Sequence, residues 1–139
     1  MPAENRKTLA LIAHDNKKAD MVAFALQHFE ILRSYDLVAT NTTGQVLKEN
    51  CGLSLRQVLS GPQGGDAQIA ALVAEGQIRA VFFFVDPLGK HSHEPDIQSL
   101  MRICNVHNIP LATNAATAKH IISERAIGSF ADDVGIRER

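Results

Sequence analysis

Apolar runs typical of buried β-strands alternate along this chain with segments whose apolar residues have helical spacing. This alternation limits the folds that the chain can adopt. Continuous apolar runs of strand length, such as TLALIA at 8–13 and AVFFFV at 80–85, are separated by segments with apolar residues at helical spacing. The first such segment places on one helix face the residues Val22, Ala25, Leu26, Phe29 and Leu32. Runs that are apolar on both faces suit a parallel sheet, and strands that alternate with helices predict such a sheet covered on both sides.

The same pattern predicts five strands, each followed by a helix. The strands are expected at 8–13, 35–40, 54–60, 80–85 and 109–113, of which the third is the most ambiguous. The helices are expected at about 22–32, 43–52, 66–76, from 95 onward, and at 115–126. We therefore expect a single α/β domain over residues 1–139. Its three layers, in the order α/β/α, have at the centre a mostly parallel, five-stranded sheet of Rossmann-like type.

Composition and charge exclude several classes of function. The net charge is −1 without a basic run, so the positive surface that nucleic-acid binding requires is missing. The most apolar run, at 80–85, is far shorter than the roughly 20 residues that span a bilayer. The apolar stretch before His14 is too short for a signal peptide. We therefore expect a cytoplasmic protein that binds neither nucleic acid nor membranes.

The segments that follow the predicted strands carry most of the reactive side chains. In chain order they read HDNKK, TNTTG, SGPQGGD, DPLGKHSHEPD and TNAAT. Ligands of open parallel sheets bind beyond the carboxyl ends of the strands. These segments are therefore expected to meet in one site.

The segment ATNTTG favours an anion such as phosphate. Thr40, Thr42 and Thr43 supply hydroxyl groups, and a helix that begins near Thr43 supplies backbone N–H groups and the positive end of its dipole. The alternative is a threonine that only caps the helix. Lys18 is a possible counter-charge for the same anion, although a lysine on a helix surface is usually solvated. Neither a Walker A motif nor GxGxxG is present, so nucleotide binding is poorly supported.

In the segment SGPQGGD, three glycines precede one carboxylate, that of Asp66. Ser60 and the N–H of Gly61 add two donors for an anion, and Asp66 begins the next predicted helix. There the carboxylate either caps the helix or, next to a loop that permits close approach of a ligand, acts as a general base.

The segment DPLGKHSHEPD is the richest in titratable groups. Its reactive side chains are Asp86, His91, His93, Glu94 and Asp96. A metal site on the two histidines is one hypothesis, but no spacing such as HExxH accompanies them. The other is acid–base chemistry by a histidine that neighbouring carboxylates orient. His14 and Asp15 form a second pair of this kind after the first strand.

With these motifs in place, the sequence resembles the methylglyoxal synthase family. The resemblance runs from about Leu9 to about Ile122 and is carried by several segments in the same order: LIAHDNKK, ATNTTG, LSGPQGGDAQ, FFFVDPLGKHSHEPD and RICNVHNIPLATNAATA. It implies the fold of that family and a lyase that converts dihydroxyacetone phosphate to methylglyoxal and inorganic phosphate. It further implies no metal or organic cofactor, a homohexamer, and cooperative inhibition by phosphate.

The resemblance also implies a role for each site residue. Asp66 is the expected general base, His93 acts beside the substrate oxygens, and Asp96 assists. The residues that line or orient this group are Asp86, His14 and Asp15. The phosphate cradle is expected from Lys18, Thr40, Asn41, Thr42, Thr43, Ser60 and Gly61, with His14 and His93 also touching the substrate.

Two positions depart from the family pattern. Asn41 stands where the family usually has glycine, and Ala67 where it usually has glutamine. Because asparagine tolerates a left-handed backbone better than most residues, Asn41 is expected to preserve the loop.

The alternative function is a regulatory module of the same fold that binds a small phosphorylated ligand. Such a module need not keep Asp66, His93 and Asp96 together, so their joint presence favours the enzyme.

Overall fold

The computed structural model describes residues 8–89 and 94–123, with only the backbone of 94–96. It contains one sheet of five parallel strands in the order β3-β2-β1-β4-β5, which confirms the predicted fold class. The strands are β1 (Thr8–Ala13), β2 (Asp36–Thr40), β3 (Arg56–Val58), β4 (Ile78–Phe84) and β5 (Leu111–Ala112).

Helices cover both faces of the sheet. They are α1 (Lys18–Gln27), α2 (Phe29–Leu32), α3 (Asn41–Cys51), α4 (Gly65–Ala74), α5 (Glu94–Val106) and α6 (Ala115–Ile122). Alternate strand residues face opposite layers: Leu9 and Leu11 pack with α1, α3 and α6, whereas Ala10 and Ile12 pack with α4 and α5. No helix in the described part of the chain is long and apolar enough to cross a membrane.

The strand order positions the site. From β1 the chain proceeds outward through β2 and β3, and it then returns to β4 on the other side of β1. The carboxyl ends of β1 and β4 therefore flank the point where the winding direction reverses, which is where open α/β sheets form their ligand crevice. β1 and β4 pair closely up to this edge, and the amide of His14 donates to the carbonyl of Phe84 at 3.1 Å.

Several element boundaries differ from the prediction. The helix expected over 22–32 is interrupted at His28, where α1 ends and the short α2 begins. β5 keeps two of the five residues expected for it, because only Leu111 and Ala112 pair with β4. α3 begins at Asn41, two residues before the predicted start, and α4 ends before Gly76 as expected. The residues predicted to continue α6 beyond 123 lie outside the described part.

The interruption at His28 leads to a prediction about pH and stability. Its ring lies 5.1 Å from that of Phe24, and its Nε2 is buried without a hydrogen-bond partner among the described residues. Burial, and secondarily the charge of Lys119, lower the pKa of His28 below its ordinary value of 6.5. At pH values between the lowered pKa of the folded protein and the value of 6.5 in the unfolded chain, the unfolded chain binds a proton at His28 that the folded protein does not. The contribution of neutral His28 to the free energy of unfolding is therefore fully present above pH 6.5 and is lost as the pH falls toward the lowered pKa.

We expect His28→Phe to lose less stability on acidification than the unsubstituted protein. Urea unfolding at about pH 7.5 and about pH 5.5 measures the difference, since this interval contains the charge change of an ordinary histidine. His120→Phe, at an exposed position of α6, is the matched control. Equal acid sensitivity of the His28 variant and the unsubstituted protein would contradict the prediction.

Candidate functional site

A cavity of ≈ 500 Å³ opens at the carboxyl ends of β1 and β4. It brings together eight of the residues that the sequence singled out, from four separate segments: His14, Asp15, Lys18, Thr40, Thr42, Gly61, Asp66 and Asp86. The strand-end argument thus places these segments correctly. The cavity wall also includes Asn16, Pro62, Leu88 and Gly89. These residues lie in the same strand-end segments, but the sequence predicted no function for them.

His14 is held by the loop that follows β4. Its Nδ1 accepts a hydrogen bond of 2.9 Å from the backbone N–H of Asp86, and its ring lies edge-on to Phe83 at 5.4 Å. Because Nδ1 is an acceptor, the neutral ring carries its proton on Nε2. His14 is thus arranged to donate from Nε2.

Lys18 places a positive charge in the cavity wall. It is the first residue of α1, after a short 3-10 turn over Asp15–Lys17. Its Nζ donates to the carbonyl of Ala13 at 2.9 Å and to Asp15 Oδ1 at 2.8 Å. The Lys18 side chain is 15% exposed, whereas that of Asp15 is 92% exposed. The ammonium group is therefore anchored at the end of β1 and is not the solvated surface lysine of the alternative interpretation.

The threonines at the start of α3 divide into two groups. The hydroxyl of Thr43 accepts from the amide of Ala13 at 3.1 Å and donates to its carbonyl at 3.3 Å, while Thr40 donates to Thr43 at 3.2 Å. Thr43 is buried, so its side chain ties α3 to β1 behind the cavity. Thr42 is exposed and lines the cavity.

The amino end of α3 supplies backbone donors. Thr40 occupies the N-cap position, but no side chain caps this helix. Helix geometry leaves the amides of Thr42 and Thr43 without an intrahelical acceptor. The arrangement suits an anion, because these amides and the helix dipole favour negative charge at this end.

Asn41 lies outside the cavity wall, and the expectation of a left-handed backbone there was wrong. It is the exposed first residue of α3, and among the described non-glycine residues a positive φ occurs at Asn108 alone. The Nε2 of Gln57 instead donates to the main-chain carbonyl of Asn41 at 2.9 Å and to its Oδ1 at 3.1 Å. Asparagine fits this position because an ordinary helical conformation suffices.

The glycine-rich segment forms a tight turn that leads into α4. Gly61–Gln63 form a 3-10 turn, Gly64 has a φ of 112°, and the carbonyl of Ser60 accepts from the amides of Gln63 and Gly65. A Cβ on Gly65 would lie 1.9 Å from the carbonyl oxygen of Leu59, so only glycine fits there. Ser60 closes the turn with its carbonyl and is not among the cavity-lining residues.

Asp66 is the second residue of α4 and is 4% exposed. Its interpretation as the N-cap residue of α4 was wrong, because Gly64 holds that position. The carboxyl group instead lines the cavity, where a Cβ on Gly61 would approach its Oδ1 to 3.3 Å. Because Gly61 has no side chain, this face of the carboxylate stays open to the cavity.

Asp86 is held as an anion by neutral donors. Its Oδ2 accepts from Asn16 Nδ2 at 2.9 Å and its Oδ1 from the amide of Leu88 at 3.0 Å. The hydrogen bond from Asn16, followed by that from Leu88, lowers the pKa of Asp86, and the charges of Lys17 and His14 act in the same direction. Asp86 therefore stays ionised at neutral pH.

Part of the predicted site falls outside the description. His91 and His93 are not described, and for Glu94 and Asp96 the backbone alone is known, at the start of α5. Within the described residues, no group of three histidine, cysteine or carboxylate side chains is arranged to hold a metal ion. The hypothesis of a metal on the two histidines is thus not tested by the structure.

The site combines an anion-binding half with an acid–base half. Lys18, the amino end of α3 and the turn at Gly61 can hold a phosphate group. Asp66 can accept a proton and His14 can donate one, beside the ionised carboxylate of Asp86 in the same cavity. The arrangement suits proton abstraction from a small phosphorylated molecule.

Comparison with known proteins gives consistent matches. The family model described as the MGS-like domain matches residues 20–113. A methylglyoxal synthase from Thermus thermophilus is 57% identical over 84% of this chain and 93% of its own length. One from Clostridium botulinum is 52% identical over 84% of this chain and 98% of its own. The crystal structure of methylglyoxal synthase from Elizabethkingia anophelis matches with a TM-score of 0.80 and 43% identity, covering 86% of this chain and 78% of that chain.

Proposed function

The chain belongs to the methylglyoxal synthase family, and from this premise we propose that it converts dihydroxyacetone phosphate to methylglyoxal and inorganic phosphate. The observation that carries the proposal is the cavity at the switch point. There a buried carboxylate, Asp66, shares one space with the anchored ammonium group of Lys18 and the uncapped amino end of α3. A base and an anion site in one cavity of ≈ 500 Å³ suit a small phosphate ester.

The reaction begins with proton removal. Asp66 takes a proton from the hydroxymethyl carbon of the substrate, and the electron pair of that C–H bond forms the double bond of an enediolate. Donors beside the developing oxyanion lower the energy of this step. His14 is one such donor, since its Nε2 carries the proton in the neutral ring.

Elimination follows from the enediolate. Its π electrons form a new double bond to the phosphate-bearing carbon as the C–O bond breaks, and the phosphate leaves with the bonding pair. At the same time a lone pair of the hydroxyl oxygen on the former hydroxymethyl carbon forms the aldehyde carbonyl, and the proton of that hydroxyl group passes to His93. The remaining enol becomes methylglyoxal when its methylene carbon gains a proton. Lys18, Thr42 and the amides at the start of α3 stabilise the leaving phosphate. They direct a positive charge, an O–H donor and N–H donors at its oxygens.

The other predicted residues complete this proposal. Gly61 contributes its amide to the phosphate cradle and Ser60 holds the turn that presents this amide, while Thr40, Asn41 and Thr43 position the amino end of α3. Asp86 and Asp15 orient His14 and Lys18, respectively. His93 shuttles a proton at the substrate oxygens and Asp96 assists it. The proposal assigns no metal or cofactor to any step.

The alternative is a regulatory module that binds a phosphorylated ligand in the same cavity. One experiment separates the two functions. The purified protein is mixed with dihydroxyacetone phosphate in the presence of a chelator, and methylglyoxal and inorganic phosphate are followed together, with a protein-free sample correcting for spontaneous decay.

Equal, protein-dependent formation of both products is the expected result. Saturable binding of dihydroxyacetone phosphate or phosphate without product would overturn the lyase and leave the regulatory module. Activity that the chelator abolishes would contradict the metal-free mechanism.

We further propose that the protein works as a cytoplasmic homohexamer of one domain over residues 1–139, with allosteric inhibition by phosphate. Two exposed leucines near the cavity support a contact between subunits there: Leu59 is 49% and Leu88 is 89% exposed. Light scattering gives the molar mass of the assembly, and a monomer that is fully active would contradict the hexamer.

A further inference from the structure

Asp86 joins the loops that follow β1 and β4. Its backbone N–H donates to His14 Nδ1 at 2.9 Å, and its side-chain Oδ2 accepts from Asn16 Nδ2 at 2.9 Å. Its Oδ1 accepts from the amide of Leu88 at 3.0 Å, within its own turn. Asp86 thus holds the histidine with its main chain and is itself held by the asparagine with its side chain.

Asn16 occupies a position from which it can control this arrangement. It lies in the cavity wall, in the 3-10 turn that begins one residue after His14. Its amide spans from the loop after β1 to that after β4, 70 residues further along the chain. Because an amide donates without adding charge, it fixes the Asp86 carboxylate and leaves its negative charge in place.

The absence of a side chain at Gly89 leaves room beside the Asp86 carboxylate, next to its hydrogen bond with Asn16. A Cβ on Gly89 would lie 3.1 Å from Asp86 Oδ2, the same oxygen that accepts from Asn16. The charged or titratable groups that act on the carboxylate, among the residues described, are Lys17 and His14, and both favour its ionised form. The hydrogen bond from Asn16 is the largest cause of the lowered pKa of Asp86.

We propose that Asn16 is a positioning residue for the reaction: its amide fixes Asp86, and the Asp86 backbone in turn fixes the orientation and the tautomer of His14. The kinetic part of this inference depends on the proposed function. With Asp86 fixed, its N–H stays directed at Nδ1, and the proton of the neutral imidazole stays on Nε2. Without the Asn16 contact, the loop after β4 relaxes and Nδ1 loses its fixed donor.

Two variants at one exposed position test the inference. Asn16→Ala removes the donor, and Asn16→Asp replaces it, at nearly the same size, by a carboxylate that repels Asp86. The control is Asn50→Asp on α3, an exposed asparagine whose Nδ2 donates to the carbonyl of Val46 at 2.9 Å. Circular dichroism verifies that all three variants fold.

The expected kinetic result is a fall in kcat of roughly 10- to 100-fold for the two Asn16 variants, as for other misplaced catalytic groups, with little change in KM. The loss is expected to be larger for Asn16→Asp. The Asn50 variant should match the unsubstituted protein.

Magnetic resonance provides readouts that do not depend on turnover. In the unsubstituted protein, the ¹⁵N shifts of His14 should show a protonated Nε2 and an unprotonated Nδ1, and both Asn16 variants should reduce this preference. The ¹³C carboxyl titration of Asp86 should give a higher pKa in both, more so in Asn16→Asp because of the like charge.

An unchanged His14 tautomer and an unchanged Asp86 titration in both variants would overturn the inference. A change confined to KM would also overturn it, because Asn16 would then contact the substrate without positioning His14. If the unsubstituted protein forms no methylglyoxal, the proposed function fails, while the resonance measurements still decide whether Asn16 fixes Asp86 and His14.

Discussion

Asp66→Asn is expected to lower kcat by about 10²- to 10⁴-fold, equivalent to roughly 3–5 kcal/mol of barrier, while the protein still folds and still binds phosphate. The amide has nearly the same shape as the carboxyl group but cannot accept the proton of the substrate. Asp66 is 4% exposed, and it is the buried carboxylate among the described residues of the cavity wall, where Asp15 and Asp86 are more exposed. Initial rates of methylglyoxal formation at saturating substrate measure the effect.

The matched control is Asp20→Asn. Asp20 is an exposed carboxylate of α1 that forms an ion pair with Lys17 at 3.7 Å and does not line the main cavity. Calorimetric titration with phosphate should show that the anion site of the Asp66 variant is intact. Near-normal turnover of that variant would mean that Asp66 only stabilises α4, and the base would have to be sought elsewhere.

Gly65→Ala is expected to destabilise the protein by about 3 kcal/mol or more, because the new methyl group meets backbone atoms that cannot move independently. The added Cβ would lie 1.9 Å from the carbonyl oxygen and 2.8 Å from the carbonyl carbon of Leu59, and 2.9 Å from Thr40 Cγ2. Relief of these contacts requires α4 to move away from Leu59, which follows β3, and from Thr40 at the end of β2. Urea unfolding gives the loss in the free energy of unfolding.

Two other glycines provide controls for this substitution. Gly52→Ala introduces a methyl group that meets no other described residue within 4 Å apart from its chain neighbours, so its cost is the roughly 1–2 kcal/mol of a left-handed backbone at a φ of 69°. Gly61→Ala brings its Cβ to 3.3 Å from Asp66 Oδ1, so it should change stability little and reduce kcat by obstructing the carboxylate. Equal stability losses at Gly65 and Gly52 would show that the backbone clash is relieved at no cost.

The order of strands and helices was predictable because buried parallel strands are continuous apolar runs, whereas the helices that cover the sheet have apolar residues at helical spacing on one face. β4 is buried along all seven residues, which is why AVFFFV was recognisable, and Gly52 ends α3 in the left-handed conformation that glycine favours. Boundaries were less predictable where pairing decides them. β5 keeps only Leu111 and Ala112 because they alone pair with β4.

The sequence alone determined the fold class and which strand-end segments carry the reactive side chains, since both follow from local patterns and from the common direction of parallel strands. Tertiary structure alone decided what each side chain does there. Thr43 and Thr42 are neighbours of one residue type, yet the first is bonded to β1 and the second lines the cavity, because the helix turns them to different sides. Asn16 and Asp86 are 70 residues apart, and their contact arises only because β1 and β4 pair side by side.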